Sequence, residues 1–473
     1  MKHKQDSQHV LARRQLLKYG LYGGAAAVLP GGLLINGCSD RKTGKRPNVL
    51  LISLDTVRRD HCSVYGYKHN TTPDLIKLAK QGALFDLAYS PSSTTSPSHA
   101  TMFTSLYPIT HRVVKNGLEF SDKYETLAEI LKGQGYQTAA FVSSFVLHSK
   151  FGYAQGFEFF DDEFLRQECK TYVTEWEGYK INDAFDRRAP YTTARAINWL
   201  KNKRDSSKPF FMFVHYFDPH SPYVPPEPFR SSFAPKNVLA DNLEIAKGRY
   251  DGEIAFTDKY CNDLIEQIGR MGLKNDTLIV ILSDHGEGLM QHGYIGHGVH
   301  IYEEYVRVPM IFIFPGRIKK GAVFTQPVEL VDLAPTILDL LDIRKQNPAF
   351  QGKSLAPTLL MGTELDMERP IYLHRQHFIG KWMGKIWVKG EKFGIRIGKW
   401  KYIVGDEEGT KELFNLETDL GERNNLYMDF KKVANSLSDD LDQWKQSHIG
   451  GSSIAPRIKE DDLKKLKALG YVE

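Results

Sequence analysis

The run Val49-Leu50-Leu51-Ile52-Ser53-Leu54 stops at Asp55. A continuous apolar run of this kind, ending abruptly on a charge, reads as a parallel strand buried on both faces. Four more runs share its character: Thr138–Val142, Phe210–His215, Leu278–Leu282 and Met310–Phe314. Helical patterns lie between them over Asp74–Gln81, Thr126–Gly133, Tyr191–Lys201, Arg249–Met271 and Leu330–Leu341, several closing on Gly as helices do. Strands alternating with helices predict an α/β protein with a mostly parallel central sheet flanked by helices. Composition changes near residue 345. Beyond it, Gly394–Ile403 alternates like a half-exposed antiparallel strand, with Lys411–Leu416 as a candidate partner, which predicts a small C-terminal α+β subdomain. The polar Asp161–Arg188 and the Pro-rich Pro219–Pro235 read as long loops over one face, where binding lids are often found.

The chain has 473 residues, 41% hydrophobic and 25% charged, the profile of a globular protein with a large core. Residues 1–46 hold nine of the 62 basic residues but two of the 57 acidic ones, so the rest carries 53 basic against 55 acidic and a net −2. That balance argues against a nucleic-acid surface. The four cysteines, Cys38, Cys62, Cys169 and Cys261, have no paired spacing from which a disulfide framework could be read. The first residues look like a targeting segment. Arg13-Arg14 precedes a weakly apolar run, Tyr19 to Ile35, which Gly and Pro30 interrupt and which is too short for a convincing membrane span. A paired arginine there resembles a twin-arginine export signal, and Leu34-Ile35-Asn36-Gly37-Cys38 resembles a lipoprotein processing site, with Asn36 as a departure. The expected organisation is a signal peptide over 1–37, a linker over 38–46, a main α/β domain over 47–345 and the C-terminal subdomain over 346–473. Lipidation of Cys38 would place the chain in the cell envelope, exported and membrane-anchored; a plain signal peptide or uncleaved anchor is the alternative.

Two of the buried runs end in metal-binding residue types, the first in Asp55 and Leu278–Leu282 in Ser283-Asp284-His285-Gly286. In a parallel sheet the carboxyl ends of the strands share one edge, so these residues can converge although 229 positions separate the two aspartates. Asp, Asp and His together outline a divalent-metal site; the plainer alternative is that each Asp merely opens a turn. A third element is Thr94-Thr95-Ser96-Pro97-Ser98-His99-Ala100. Pro97 suits the first turn of a helix, which puts Thr95 at or just before its start, where unpaired amides and the positive end of the dipole hold an anion. A hydroxyl there beside a metal would be a nucleophile facing phosphate or sulfate; its ordinary role would be an N-cap.

Ser53-Leu54-Asp55-Thr56-Val57-Arg58-Arg59-Asp60-His61, Thr95-Ser96-Pro97-Ser98-His99-Ala100, Leu106-Tyr107-Pro108, Asp218-Pro219-His220, Ser283-Asp284-His285-Gly286-Glu287, Tyr302-Glu303-Glu304 and Val308-Pro309 follow one another in an order and spacing that resembles the sulfatase family of the alkaline phosphatase superfamily. Leu413-Phe414-Asn415-Leu416 and Glu422-Arg423-Asn424-Asn425-Leu426 resemble that family's C-terminal subdomain. The resemblance implies that Asp55, Asp284 and His285 are metal ligands, and that Thr95 is the nucleophile and also a metal ligand. It puts Asn116, His220 and His297 where the family's residues touch the transferred anion or protonate the leaving oxygen, and His99 where an Arg is usual. For each imidazole the alternative is a satisfied structural histidine.

The departures bear on substrate. A sulfatase proper carries Cys or Ser at the nucleophile position, oxidised to formylglycine; threonine cannot become an aldehyde, so no formylglycine is expected here. A threonine ester must be cleaved by a second attack, the route of threonine-using phosphodiesterases and phosphotransferases of the same superfamily. Thr56 stands where a second carboxylate is usual, Ser143 and Phe145 replace an expected Lys/His pair, and His297 replaces a Lys. The sulfate-binding cations are thus depleted. One divalent ion is expected, with Mn²⁺ or Zn²⁺ favoured over Ca²⁺ because an imidazole joins the oxygen ligands. A second ion would have to draw on Asp218, His215 and His300, whose spacing is not that of a site. The expected function is a hydrolase of sulfate or phosphate esters on a glycan or small molecule. The alternatives are a phosphotransferase onto an envelope glycan or lipid, and a non-catalytic glycan-binding lipoprotein. The sequence carries no sign of oligomeric state.

Overall fold

Alternate residues of the first strand, β1 (Asn48–Leu54), part to opposite sides: Val49 and Leu51 enter one hydrophobic core, and Leu50, Ile52 and Leu54 another. All seven of its residues are buried, and each such Leu or Ile contributes about 1.5–3 kcal/mol by leaving water. The computed structural model describes residues 46–448 except 171–174, 177–178, 181–183, 236–240, 344–346 and 383–384, together with Lys464. The leader with Arg13, Arg14 and Cys38 lies outside the described residues, none of whose helices is long and apolar enough to cross a membrane.

β1 lies inside an eight-stranded sheet with β2 (Ala83–Tyr89), β3 (Gln137–Phe141), β4 (Phe159–Asp161), β5 (Phe210–Tyr216), β6 (Thr277–Ser283), β7 (Arg307–Ile313) and β8 (Ala322–Glu329). The spatial order is β8-β2-β7-β6-β1-β5-β3-β4. Every neighbouring pair is parallel except the two that involve β7, which runs antiparallel to β2 and β6. Helices cover both faces. On one side lie α2 (Thr95–Thr104), α3 (Leu127–Gly133) and α6 (Leu333–Leu340); on the other lie α1 (Pro73–Ala79), α4 (Ala189–Asn202) and the 29-residue α5 (Asn242–Arg270). The fold is the helix-flanked, mostly parallel sheet that the apolar runs predict.

The C-terminal subdomain is a four-stranded antiparallel meander, β9 (Ile371–Trp382), β10 (Lys385–Ile397), β11 (Trp400–Gly405) and β12 (Thr410–Asn415), with α7 (Lys431–His448) packed against it through Leu437, Leu441 and Trp444. The single strand expected over Gly394–Ile403 is corrected here: the chain turns at Gly398, whose φ of +54° suits a residue without Cβ, and splits the run between β10 and β11. Lys411–Leu416 does supply the partner of β11, as β12. The motif carboxylate Glu303 ties this sheet to the body. It accepts from the fully buried Lys401 at 3.1 Å, and Lys401 lies 2.9 Å from Glu422; burying an ammonium there is tolerable because both carboxylates face it.

Candidate active site

Register builds the site. β1 pairs with β6 so that Leu54 lies beside Ser283, and the next residue of each chain, Asp55 and Asp284, leaves the sheet edge side by side. β1 pairs with β5 so that Ser53 lies beside His215; with a side-chain period of two, Ser53, Asp55 and His215 share the face that α2 covers. Thr95 is the first residue of α2. Its Oγ1 lies 3.2 Å from His285 Nε2. The ligand atoms of Asp55, Asp284 and His285 lie within 4.8 Å of one another, and all three side chains are fully buried.

The polar accounting around this group is incomplete without a cation. Both oxygens of Asp55 and Oδ2 of Asp284 are buried and find no hydrogen-bond donor, whereas Asp284 Oδ1 accepts from the amides of Thr56 at 3.1 Å and His285 at 2.8 Å. Burial, reinforced by the charge of Asp55, pushes Asp284 up to about 7, and burial pushes Asp55 well above the ordinary carboxylate range. Glu287, close by, rises to about 8 for the same reason of burial. Two adjacent buried carboxylates are costly as charges unless a cation joins them. His285 is prepared for the same role: Nδ1–H donates to Gly286 O at 2.8 Å, which leaves the Nε2 lone pair facing Thr95 and the carboxylates. Burial holds its pKa down near 4, so the ring is neutral. Thr56, standing where a second carboxylate was expected, is held at φ 58°, a strained conformation for a β-branched residue, with its amide turned to Asp284.

Asn116 accepts the Ser96 amide on Oδ1 at 2.8 Å and keeps a buried Nδ2 without an acceptor beside the start of α2. The helix offers fewer amides to an anion than the sequence suggests, because Ser96 is committed to Asn116, Ser98 donates to Thr94 O and Pro97 has no N–H. His220 and His297 meet through their Nε2 atoms at 3.0 Å, while Nδ1 of each faces a backbone carbonyl, that of Ser221 at 2.7 Å and of Ser93 at 3.2 Å. The His297 ring also lies 4.5 Å from that of His285, so this pair borders the Thr95 group. His99 is engaged at both nitrogens: Nδ1 donates to Thr95 O at 2.8 Å and Nε2 accepts from the Ser53 hydroxyl at 3.0 Å. Burial holds it neutral, with its pKa near 3. In this arrangement it buttresses the first turn of α2.

From the sequence, His215 is a candidate only for a second ion, together with Asp218 and His300, and Lys170 is missed altogether. His215 is fully buried, neither ring nitrogen has a hydrogen-bond partner, and Nε2 comes within 3.3 Å of Asp55 Oδ2. It belongs to the Asp55 group and not to a separate one: Asp218 instead accepts the Ala189 amide and faces Arg188, and His300 packs among Tyr294, Tyr302 and Tyr305. Lys170, from the presumed loop, is a buried cation whose ammonium donates to the carbonyls of Asp218, at 2.7 Å, and His220. Its charge opposes the rise in the Asp55 pKa.

The sheet topology and the hydroxyl set against buried Asp and His residues define an alkaline-phosphatase-like α/β enzyme. The chain belongs to the sulfatase family, whose profile matches residues 47–343, and the C-terminal profile of N-sulphoglucosamine sulphohydrolase matches residues 291–447. It is thus an ester-bond hydrolase, and the reading as a non-catalytic binding protein falls away. An arylsulfatase of Clostridium perfringens is 26% identical over 450 residues, covering 80% of this chain and 90% of the relative. Among solved structures, the phosphonate monoester hydrolase of Agrobacterium radiobacter superposes with a TM-score of 0.70 at 23% identity, covering 85% and 96% of the two chains. A protein solved with its substrate D-glucosamine-2-N,6-O-disulfate also gives 0.70, at 22% identity and coverage of 85% and 98%.

Proposed function

We propose that this chain is an exported, metal-dependent hydrolase of sulfate or phosphate esters on a glycan or small molecule, acting through a covalent ester on Thr95. The observation that carries the reading is the Thr95 hydroxyl, 3.2 Å from His285 Nε2 at the start of a helix and against two buried carboxylates. Asp55, Asp284 and His285 would hold one divalent cation, Mn²⁺ or Zn²⁺ in preference to Ca²⁺ given the imidazole. When bound, such an ion supplies the positive charge that acidifies a neighbouring hydroxyl and offsets charge on the transferred group. Thr95 Oγ1 gives up its proton to solvent and attacks sulfur or phosphorus in line with the leaving oxygen, so that a new Thr95 O–S or O–P bond forms as the ester bond breaks. Asn116 Nδ2, buried and without an acceptor, is available to the transferred oxygens. The leaving oxygen takes its proton from the His220–His297 pair. If both Nδ1 atoms carry protons for their carbonyls, the 3.0 Å Nε2–Nε2 contact needs one more proton between the rings. Burial pushes both pKa values well down, so the free pair is neutral and takes up that proton only together with the anionic substrate, whose charge favours the imidazolium. Water then attacks the sulfur or phosphorus of this ester, the Thr95 O–S or O–P bond breaks, Thr95 leaves as its hydroxyl and sulfate or phosphate is released, with one proton of the water returning to the His220–His297 pair.

A transferase reading keeps one point in its favour: a threonine ester is opened by a second displacement, and an alcohol can take the place of water in that step. The test is a comparison of aryl sulfate, phosphate monoester and phosphodiester substrates with purified protein, with metal analysis alongside and with an added alcohol acceptor. Turnover of none of them would sink the reading. His215→Ala should weaken metal retention about 10- to 100-fold in competition with a chelator, as expected for a group that orients or joins the ligand Asp55; unchanged retention would remove His215 from the site.

Export and anchoring rest on Arg13-Arg14 and Cys38. Replacing both arginines with Lys should leave the precursor in the cytoplasm, seen by fractionation, and unchanged export would remove the twin-arginine reading. Cys38→Ala should release the exported protein from membranes, and persistent association would favour an uncleaved anchor.

A further inference from the structure

A cavity of about 680 Å³ opens between the edge of the central sheet, where β2 ends, β7 begins and β8 passes with Thr325, and the turn that joins β10 to β11. Its wall includes Tyr89, Arg307, Arg396, Lys399, Trp400 and Leu420. None of these residues belongs to the group around Thr95, and β2 is separated from β1 by two strands.

Arg396 sets the character of the cavity. The residue is 7% exposed, its Cζ lies 5.2 Å from the centre of the Tyr89 ring, and its Nε and Nη1, both closed off from solvent, have no acceptor, so that an incoming oxyanion meets the guanidinium first at Nη2. The buried carboxylate whose charge it feels, Glu303, is already committed: it accepts from Lys401 at 3.1 Å and from the Tyr89 hydroxyl at 2.9 Å. Arg307, also nine-tenths buried, is held by Asp86 at 3.0 Å, and Lys399 stands at the rim 3.9 Å from Glu417. Glu368 and Glu417 supply the acidic part of the wall at its exposed mouth. The exposed negative charge therefore sits at the mouth, and inside an incompletely paired guanidinium lies near the already committed Glu303.

A buried guanidinium without acceptors is costly, and its planar fork matches two oxygens of a sulfate or carboxylate. The volume falls within the range of about 300–1,000 Å³ typical of small-molecule sites, more than a bare inorganic anion fills. Leu87, Leu416, Leu420 and the half-buried Trp400 face the remainder, which suits the apolar face of a sugar ring. We propose that this cavity is a second binding site, for a sulfated or carboxylated sugar, with Arg396 as its oxyanion anchor. The proposal goes beyond the chemistry at Thr95 and does not depend on it.

The test is direct binding in a Thr95→Ala background, by calorimetry with a monosulfated disaccharide, its neutral parent and inorganic sulfate as probes. The sulfated disaccharide should bind at a site where Arg396→Met weakens affinity about tenfold or more, inorganic sulfate should compete there weakly, and the neutral parent should not bind. Equal affinity and stoichiometry with and without Arg396→Met would overturn the proposal, and so would binding of the neutral sugar as tight as that of the sulfated one. Should Arg396→Met fail to fold, Arg396→Lys keeps the charge and loses the fork, with the same expected loss. Fluorescence in the chain with its native Arg396 gives a parallel reading: a saturable change on adding the sulfated disaccharide should disappear in Trp400→Phe, and its persistence there would count against this cavity. Because the catalytic background is the same in every arm, failure here leaves the reading of Thr95 untouched.

Discussion

Asp284→Ala should strip the protein of its divalent metal and of nearly all turnover while leaving the fold intact. The substitution removes one of two buried carboxylates that leave the sheet side by side, together with the acceptor of the Thr56 and His285 amides. Asp55 and His285 then remain as a pair unable to hold an ion tightly, and a loss of about 3 kcal/mol in binding is already more than a hundredfold. The fold survives because the strand that leads into the residue, β6, is anchored by Leu278, Ile279, Val280, Ile281 and Leu282, all buried. Without metal, the buried Asp284 and Asp55 must take up protons or repel each other, and the stabilisation by the bound ion is lost, so chelation should lower the melting temperature of the unaltered chain, whereas Asp284→Ala should melt at the same temperature with or without metal. Elemental analysis and thermal melts of both proteins check this. Full metal occupancy and turnover in Asp284→Ala would show that the carboxylates serve another purpose.

How much of this was legible follows from where each residue lies. Strands β1, β3, β5, β6 and β7 show as apolar runs because both faces of each are covered. β2 is masked by Asp86 at its centre, a carboxylate that the fold uses to hold Arg59 and Arg307. β8 is an edge strand whose Pro327 coincides with a shift in register, as an edge permits and an interior does not. Asp55, Asp284 and His285 could be found because a strand end is visible in sequence. His215, offered in the sequence only to a second ion, could not be placed beside Asp55, since it lies within an apolar run and reaches the site only through the register that sets it beside Ser53. Lys170 follows no periodicity at all. Its importance comes from burial against the Asp218 and His220 carbonyls, a contact across about 50 residues.

Thr95→Ala should abolish turnover, by about a thousandfold or more if the hydroxyl is the attacking atom, while metal content stays near that of the unaltered protein because Asp55, Asp284 and His285 remain. The variant should fold, since Thr95 is the first residue of α2 and the helix keeps the Ser98-to-Thr94 and Ser96-to-Asn116 hydrogen bonds. With a slow substrate, the unaltered enzyme should carry a sulfuryl or phosphoryl adduct that mass spectrometry locates on Thr95. Activity should need no maturation enzyme, because threonine has no route to an aldehyde. The substrate half of the expectation separates from the nucleophile half. Ser143, Phe145 and His297 stand where more cationic groups were expected, and the Lys170 ammonium is spent on two carbonyls, so phosphodiesters or phosphomonoesters should be turned over at least as well as sulfate esters. A strong preference for sulfate would overturn that half and leave Thr95 as the nucleophile. Unimpaired turnover in Thr95→Ala would overturn both, and would make water the attacking group, with Thr95 reduced to a helix-start residue.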